Sequence, residues 1–170
     1  MKDFSSTITK RIEALAKAKG FDKLSYFNTP DKDHKNYYVS DPRTGLTHIL
    51  LQDLSIFTLD TEDYIKHNFG ENTWCQDSSA HTKRKGNFGY VKTTLYNTDF
   101  AGDFYKRLNI KAAKVITNTL SNGCSVDVDH MNGNVLDNRK VNLRVCTRKE
   151  NLNNKYPYME VPAIVYPWDN

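Results

Sequence analysis

Residues 125–151 constrain the fold of this chain most, because their residue types change in a definite order. Val126 and Val128 alternate with polar residues in 125–130, which predicts a short strand with both valines on its buried face. Asn132-Gly133-Asn134 follows, and Asn and Gly tolerate the positive φ of a tight turn. The beginning of this segment is therefore predicted to be a strand that runs into a loop.

The second half of the segment predicts another strand and then a helix. Val141, Leu143 and Val145 alternate with polar residues, which is the period of a half-buried strand. Thr147 and Glu150 have the spacing of a capping box, in which each side chain satisfies a free amide at a helix start. The helix is predicted to run from Arg148 to about residue 156, with Leu152 turned towards the core.

The same residues carry a longer pattern, D-H-x-N-G-x3-D-N-R-x2-N-L-R-x2-T-x3-N, over 129–151. This pattern resembles the active-site signature of the HNH endonuclease superfamily, in the Asn-rich form of phage and homing-type enzymes. The upstream order of an apolar strand, a helix start near Asp60, Trp74 and Gly89-Tyr90 is also similar to that family. The Leu-His-Arg segment common in the family is replaced here by residues 104–108, which lack the histidine.

The resemblance implies a ββα-metal unit that hydrolyses a phosphodiester with one divalent ion, Mg²⁺ or Mn²⁺. It makes His130 the general base that takes a proton from the attacking water. It makes Asp129 and Asn151 the metal ligands, and Asn142 the residue that braces the loop and orients His130. An imidazole with a pKa near 6.5 is mostly neutral at physiological pH, so activity is expected to fall below about pH 6.

Two physical points bear on these roles. Adjacent strand residues point to opposite faces, so Asp129 and His130 are expected at a frayed strand end, where the chain bends into the loop. Magnesium takes few protein oxygens and keeps water or phosphate besides, and Asp129 with Asn151 is such a sparse set. Zinc would instead favour Cys or His ligands.

The charge distribution indicates a polyanion partner. The net charge is +4, but residues 139–155 contain six basic residues and one acid, which leaves −1 for the rest of the chain. For Arg144 and Asn154 two alternatives stay open: either residue contacts a phosphate, or Arg144 pairs with Asp137. The basic turn Lys83-Arg84-Lys85 either enters a DNA groove or is merely solvated. The residues predicted to contact phosphates around the site are Arg139, Lys140, Arg148, Lys149 and Lys155.

The N-terminal half is predicted to mix one helix with short strands. Residues 5–19 have a helical apolar stripe, with Ser5 or Ser6 as cap and Gly20 as stop. Residues 28–45 are turn-rich around a β-prone edge strand at 37–39, and β-branched and aromatic residues dominate 47–59.

The remaining segments complete the prediction. Residues 73–81 and 88–96 are predicted to pair as a hairpin. Residues 109–120 show a helical stripe, and the proline-containing tail is expected to wrap the body or be loose. The fold class is α+β, a small antiparallel sheet domain with helices that ends in the ββα-metal unit. The expected regions are an N-terminal arm (1–45), a β-rich DNA-binding scaffold (46–120), the nuclease motif (121–156) and a tail (157–170).

The resemblance implies a metal-dependent DNA endonuclease of phage or homing type, expected to act on double-stranded DNA in the cytoplasm of a bacterial host. Specificity is expected to come from residues 1–120 or from a homodimer. The alternatives are a restriction-type or non-specific nuclease, and a DNA-binding protein on an inactive HNH scaffold. Three cysteines without a C-x-x-C pair argue for a reducing setting, although Cys124 and Cys146 could approach each other. No apolar run approaches membrane-spanning length.

Overall fold

The structure is a computed structural model that describes residues 4–77, 89–97, 106–122, 126–153 and 160–169. Helix α1 (Phe4–Lys19) opens the chain and buries Ile12 and Ala16. It includes Ser5 and Ser6, so neither serine is its cap. The predicted stop is confirmed, because Gly20 has φ +65°.

The first sheet is a three-stranded antiparallel meander. Its strands are β1 (Tyr37–Asp41), β2 (Leu46–Leu50) and β3 (Ile56–Asp60), in the order β1-β2-β3. All five residues of β1 pair with β2, so the domain boundary expected near Gly45 falls inside a hairpin. Residues 37–45 therefore belong to the sheet rather than to a separate arm. Helix α2 (Thr61–Lys66) follows β3 directly.

The second sheet has the order β4-β5-β6, with β4 (Cys75–Gln76), β5 (Val91–Asn97) and β6 (Lys106–Lys111) all antiparallel. The pairing of β4 with β5 confirms the predicted hairpin, whose basic turn lies outside the described residues. The helix predicted over 109–120 is shorter than expected. Residues 109–111 belong to β6, and α3 (Ala112–Ile116) ends before Asn118, which has φ +53°.

The remaining elements form the third unit: β7 (Asp127–His130), β8 (Leu143–Cys146) and α4 (Arg148–Asn153). The loop between β7 and β8 docks on the first sheet. Thr58 donates its amide to Leu136 O at 2.9 Å, and Asn138 donates its amide to Thr58 O at 2.8 Å. The backbone amide of Lys140 donates a hydrogen bond to Asp60 Oδ2 at 2.8 Å, and its side chain forms an ion pair with Asp63 at 2.9 Å. Strand β3 thus fixes the position of the loop.

Apolar side chains form two cores. The first surrounds Phe57, Phe69 and Trp74, between the sheets. The second joins α1 to β1 and β2 around Ile12, Leu50 and Tyr37. None of the helices in the described part of the chain is long and apolar enough to cross a bilayer.

Residues 160–169 cross the first sheet without regular structure. For these residues the prediction that the tail wraps the body is confirmed. Arg139 donates to Pro162 O at 2.6 Å, and Arg43 donates to Pro167 O at 3.4 Å. Tyr166 and Trp168 stack 5.0 Å apart, and the Tyr166 ring lies 5.0 Å from the ring of His48. The tail therefore covers a buried histidine.

Because His48 is buried, we predict that the protein loses stability in acid. His48 is fully buried, and its burial lowers its pKa to about 4, while Asp41 and Asp169 oppose that shift. The unfolded chain takes up this proton near pH 6.5, so the folded state loses stability as pH falls from about 6.5 to 4. We expect His48→Gln to reduce the stability lost between pH 7 and pH 4.5 by roughly 2–3 kcal/mol in urea unfolding.

The variant His34→Gln is the matched control, because it removes a histidine that stacks on Tyr38 at the edge of the sheet. It should keep the acid sensitivity of the wild type. Equal pH dependence in wild type and His48→Gln would show that His48 is not the source.

Candidate active site

The third unit has the strand-loop-strand-helix order that the sequence predicted. In its hairpin Asp127 pairs with Cys146, and His130 pairs with Leu143. The capping box is present: Glu150 Oε2 accepts from the Thr147 amide at 2.7 Å, and the Glu150 amide donates to Thr147 Oγ1 at 3.2 Å. The predicted local structure of this unit is confirmed in order and in capping.

The predicted burial of the unit is wrong at three apolar positions. Val141 and Val145 are half-exposed, whereas Asn142 and Cys146 are buried. Val141 lies in a 3-10 turn that precedes β8, so the alternation does not begin where the sequence placed it. Leu152 is 73% exposed, because α4 turns Arg148 and Asn151 towards Asp127 instead.

Asp137 is the centre of the loop between the strands. Its carboxylate is fully buried and accepts from Arg139 Nε and Nη2, each at 2.8 Å. Asn132 Nδ2 donates to the same carboxylate at 2.9 Å. Asp137 therefore joins the start and the end of the loop. Its ion-pair partner is Arg139 rather than Arg144.

Asn142 braces the same loop, as expected. Its Oδ1 accepts from the Asn132 amide at 2.8 Å, and its Nδ2 donates to Asp137 O at 2.7 Å. Its carbonyl accepts from the Met131 amide at 2.9 Å. These bonds hold the backbone that follows His130, while any effect of Asn142 on catalysis stays a prediction.

The imidazole of His130 is oriented by Asn138. Asn138 Nδ2 donates to Val135 O at 2.9 Å, which leaves its Oδ1 as the acceptor that lies 3.2 Å from His130 Nε2. Nε2 therefore carries the hydrogen of the neutral ring, and Nδ1 carries the lone pair. Nδ1 is buried and has no hydrogen-bond partner among the described residues.

The surroundings favour the neutral form of this ring. His130 is 4% exposed, and burial lowers its pKa, although the hydrogen bond from Nε2 to Asn138 and the charges of Asp137 and Asp129 oppose the shift. The sequence predicted that Asp129 and His130 both lie at a frayed strand end, but both are paired in the ladder. Only His130 is the last residue of β7, next to the loop.

The expected metal ligands lie on one face of the unit, with an additional acid. Asp129 Oδ2 accepts from Arg144 Nη2 at 3.2 Å, and Asn151 Nδ2 donates to Asp127 Oδ2 at 3.0 Å. Asp127 and Asp129 are two apart on β7 and so share a face. No cluster of three or more His, Cys, Asp or Glu side chains suited to a metal occurs within the described ranges. Two carboxylates and one amide are nevertheless the hard oxygen donors that Mg²⁺ or Mn²⁺ accepts.

The predicted phosphate contacts divide into two groups. Arg139 is 6% exposed and bound to Asp137, and the half-exposed Lys140 pairs with Asp63, so both cations are already paired with acids and hold the loop in place. Arg148 and Lys149 are exposed on α4. Five predicted contacts lie outside the described residues: Lys83, Arg84, Lys85, Asn154 and Lys155. Cys124 lies outside them as well, and Cys146 is a free, buried thiol.

Sequence reasoning missed the roles of Asp127 and Asn138. Asp127 could have been found from its spacing of two residues from Asp129 on a predicted strand. Asn138 stood inside the D-N-R part of the motif, but its contact with His130 depends on the path of the loop, which no local pattern gives.

A family model described as HNH endonuclease matches residues 122–153. These residues contain the ββα unit described above. Searches against curated proteins and against solved structures found no match. The strand-loop-strand-helix unit and the family match together show that this segment is similar to the HNH endonuclease superfamily, although the match covers less than a fifth of the chain. The α+β fold, with helices and small antiparallel sheets, agrees with that assignment.

The buried ion pair at Asp137 yields a stability prediction. Asp137→Asn leaves the Arg139 guanidinium buried without its counter-charge, which is expected to cost about 3–5 kcal/mol in urea unfolding. Asp22→Asn removes one acid from an exposed ion pair and should change stability by about 1 kcal/mol or less. Similar small losses for both variants would contradict the central role of Asp137.

Proposed function

We propose that this protein is a metal-dependent DNA endonuclease in which His130 is the general base. The single observation that carries the proposal is the set of hydrogen bonds around His130, from which we assign its tautomer. Asn138 fixes the hydrogen on Nε2, and this leaves a lone pair on a buried Nδ1 within an HNH unit.

The residues of the chain support each part of this role. An unpartnered buried nitrogen costs of order 1–3 kcal/mol, and a water molecule that donates to Nδ1 would remove that cost. Such a water is the nucleophile that hydrolysis requires, and His130 Nδ1 accepts its proton. The hydrogen bond from Nε2–H to Asn138 Oδ1 persists when the ring becomes charged, so Asn138 supports both protonation states.

The ligand set fits one divalent ion of the Mg²⁺ or Mn²⁺ kind. Asp129 and Asn151 would hold it, and we add Asp127 as a third oxygen donor because it contacts Asn151 directly. When bound, such an ion stabilises negative charge on the transferring phosphate and on the leaving oxygen. Arg144 keeps positive charge beside Asp129 in the protein itself.

The substrate proposed is double-stranded DNA, and the protein is proposed to be of the phage or homing type and to act inside a bacterial host. The exposed cations Arg148 and Lys149 lie on α4, the helix that also carries Asn151. They would contact phosphates and position the duplex without reading its sequence.

Plasmid relaxation tests the nuclease activity. We expect the wild type to nick or linearise supercoiled plasmid with Mg²⁺ or Mn²⁺ and to be inert with a chelator. His130→Ala should slow cleavage by about 10²–10⁴-fold while DNA binding on gels is retained. His34→Ala is the control that removes a histidine from outside the unit and should cleave normally.

The outcomes separate the alternatives. If wild type and His130→Ala are both inert but shift DNA on gels, the chain is a binding protein on an inactive HNH scaffold. If cleavage of a long duplex produces a smear instead of fixed products, the enzyme is non-specific.

The pH profile tests the His130–Asn138 pair. Since burial lowers the pKa of His130, the acidic fall in kcat/KM should lie at lower pH than for an imidazole of pKa 6.5. A bound metal ion would also move the acidic fall in kcat/KM to lower pH, because nearby positive charge disfavours the protonated ring. Asn138→Asp places a carboxylate beside the ring, so its acidic limb should move to higher pH.

The matched control is Asn134→Asp, which adds the same charge to an exposed position of the same loop. It should leave the acidic limb within a few tenths of a pH unit of the wild type, as expected of a screened surface charge. Equal shifts in both variants would mean that Asn138 does not act on His130 specifically.

A further inference from the structure

A groove of about 140 Å³ opens beside the proposed metal ligands. It is built where the end of β6 and α3 meet the start of β7 and α4. The polar and aromatic residues that line it are Tyr90, Lys111, Lys114, Asp127, Arg148 and Asn151. Of these, only Arg148 and Asn151 were predicted from the sequence as site residues.

The groove carries a surplus of positive charge. Three cations face one carboxylate, and that carboxylate already accepts from Asn151 and lies 3.6 Å from Arg148. Lys111 Nζ lies 4.1 Å from the centre of the Tyr90 ring. No described carboxylate forms an ion pair with Lys111, because Asp77 pairs with Lys92 and Asp127 with Arg148, although the charges of both acids act on it from a distance. Lys111 therefore lines the groove without a direct protein counter-ion.

The groove is continuous with the proposed catalytic centre. The Tyr90 ring that supports Lys111 also lies 5.9 Å from the ring of His130. On the other side, Asp127 and Asn151 belong both to the groove wall and to the oxygen donors. An anion in the groove would therefore sit next to the bond being cut.

We propose that this groove binds a backbone phosphate of the DNA strand next to the scissile one, with Lys111 as its main anchor. This inference rests on the proposed function, because the adjacent site is taken to be the cleavage site. A single cation on an aromatic support makes a point contact with a phosphodiester, which positions the strand and reads no base. A free phosphate ion would be bound by the same chemistry, and the experiment below separates the two sources.

Binding is measured in the His130→Ala background with a chelator present, so that no cleavage is needed. A fluorescent duplex is titrated at several salt concentrations. Adding Lys111→Gln should weaken binding by about fivefold to tenfold at low salt and reduce the slope of log K against log salt by about 0.9, the amount for one lost phosphate contact. Lys66→Gln removes an equal charge from α2, outside the groove. It should change the affinity and the salt slope much less than Lys111→Gln does.

The phosphate itself is located with duplexes that carry one neutral methylphosphonate at successive positions. With Lys111 present, one position beside the cleavage point should weaken binding. With Lys111→Gln the same substitution should have no further effect, because the contact is already lost. Unchanged affinity and salt slope in Lys111→Gln, or equal sensitivity to every methylphosphonate in both proteins, would overturn the proposal.

Inorganic phosphate provides the second arm. If millimolar phosphate alone protects Lys111 from chemical modification as well as the duplex does, the groove is a free-anion site and the proposal fails. Since all these readouts are of binding, an inactive wild-type protein in the plasmid assay would refute the nuclease activity without altering them.

Discussion

The ion pair of the buried Asp137 carboxylate with Arg139 is the interaction on which the ββα unit depends. A carboxylate without solvent is tolerated only when its charge and its lone pairs are satisfied, and here Arg139 and Asn132 do both. Asn132 lies at the start of the loop and Arg139 near its end, so the ion pair closes the loop on itself. The adjacent backbone then adds to β3 through Thr58, which transfers the rigidity of the first sheet to the loop.

This arrangement couples stability to the chemistry of His130. Asn138 follows Asp137 in the chain, and its amide donates to Thr58 O while its side chain holds the imidazole. The residue that docks the loop on the sheet is thus the residue that selects the histidine tautomer. A small displacement of the loop would lengthen a hydrogen bond that is already 3.2 Å and would free the ring to rotate. The placement of the imidazole therefore follows from the way the loop is anchored.

The sequence predicted the elements of the unit better than their faces and contacts. Turn chemistry at Asn132-Gly133 and the capping box at Thr147 are local, and both were found as expected. The burial of Asn142 in preference to Val141 could not be predicted, because it depends on hydrogen bonds to Asp137 and Asn132 that form only when the loop closes. The helix expected over 109–120 failed for a related reason, since pairing with β5 takes residues 109–111 into the sheet despite their helical spacing.

The charges of the site are separated by function. The cations that stabilise the fold form ion pairs with acids of the protein: Arg139 with Asp137, Lys140 with Asp63 and Arg144 with Asp129. Those on the groove and on α4 lie at the surface around Asn151, where a polyanion can reach them. A count of basic residues in the motif does not make this distinction, because it gives the same weight to a buried guanidinium and to an exposed one. Solvent exposure decides which cations a polyanion can reach, and by that criterion Lys111, distant in sequence from the motif, is better placed than Arg139 within it.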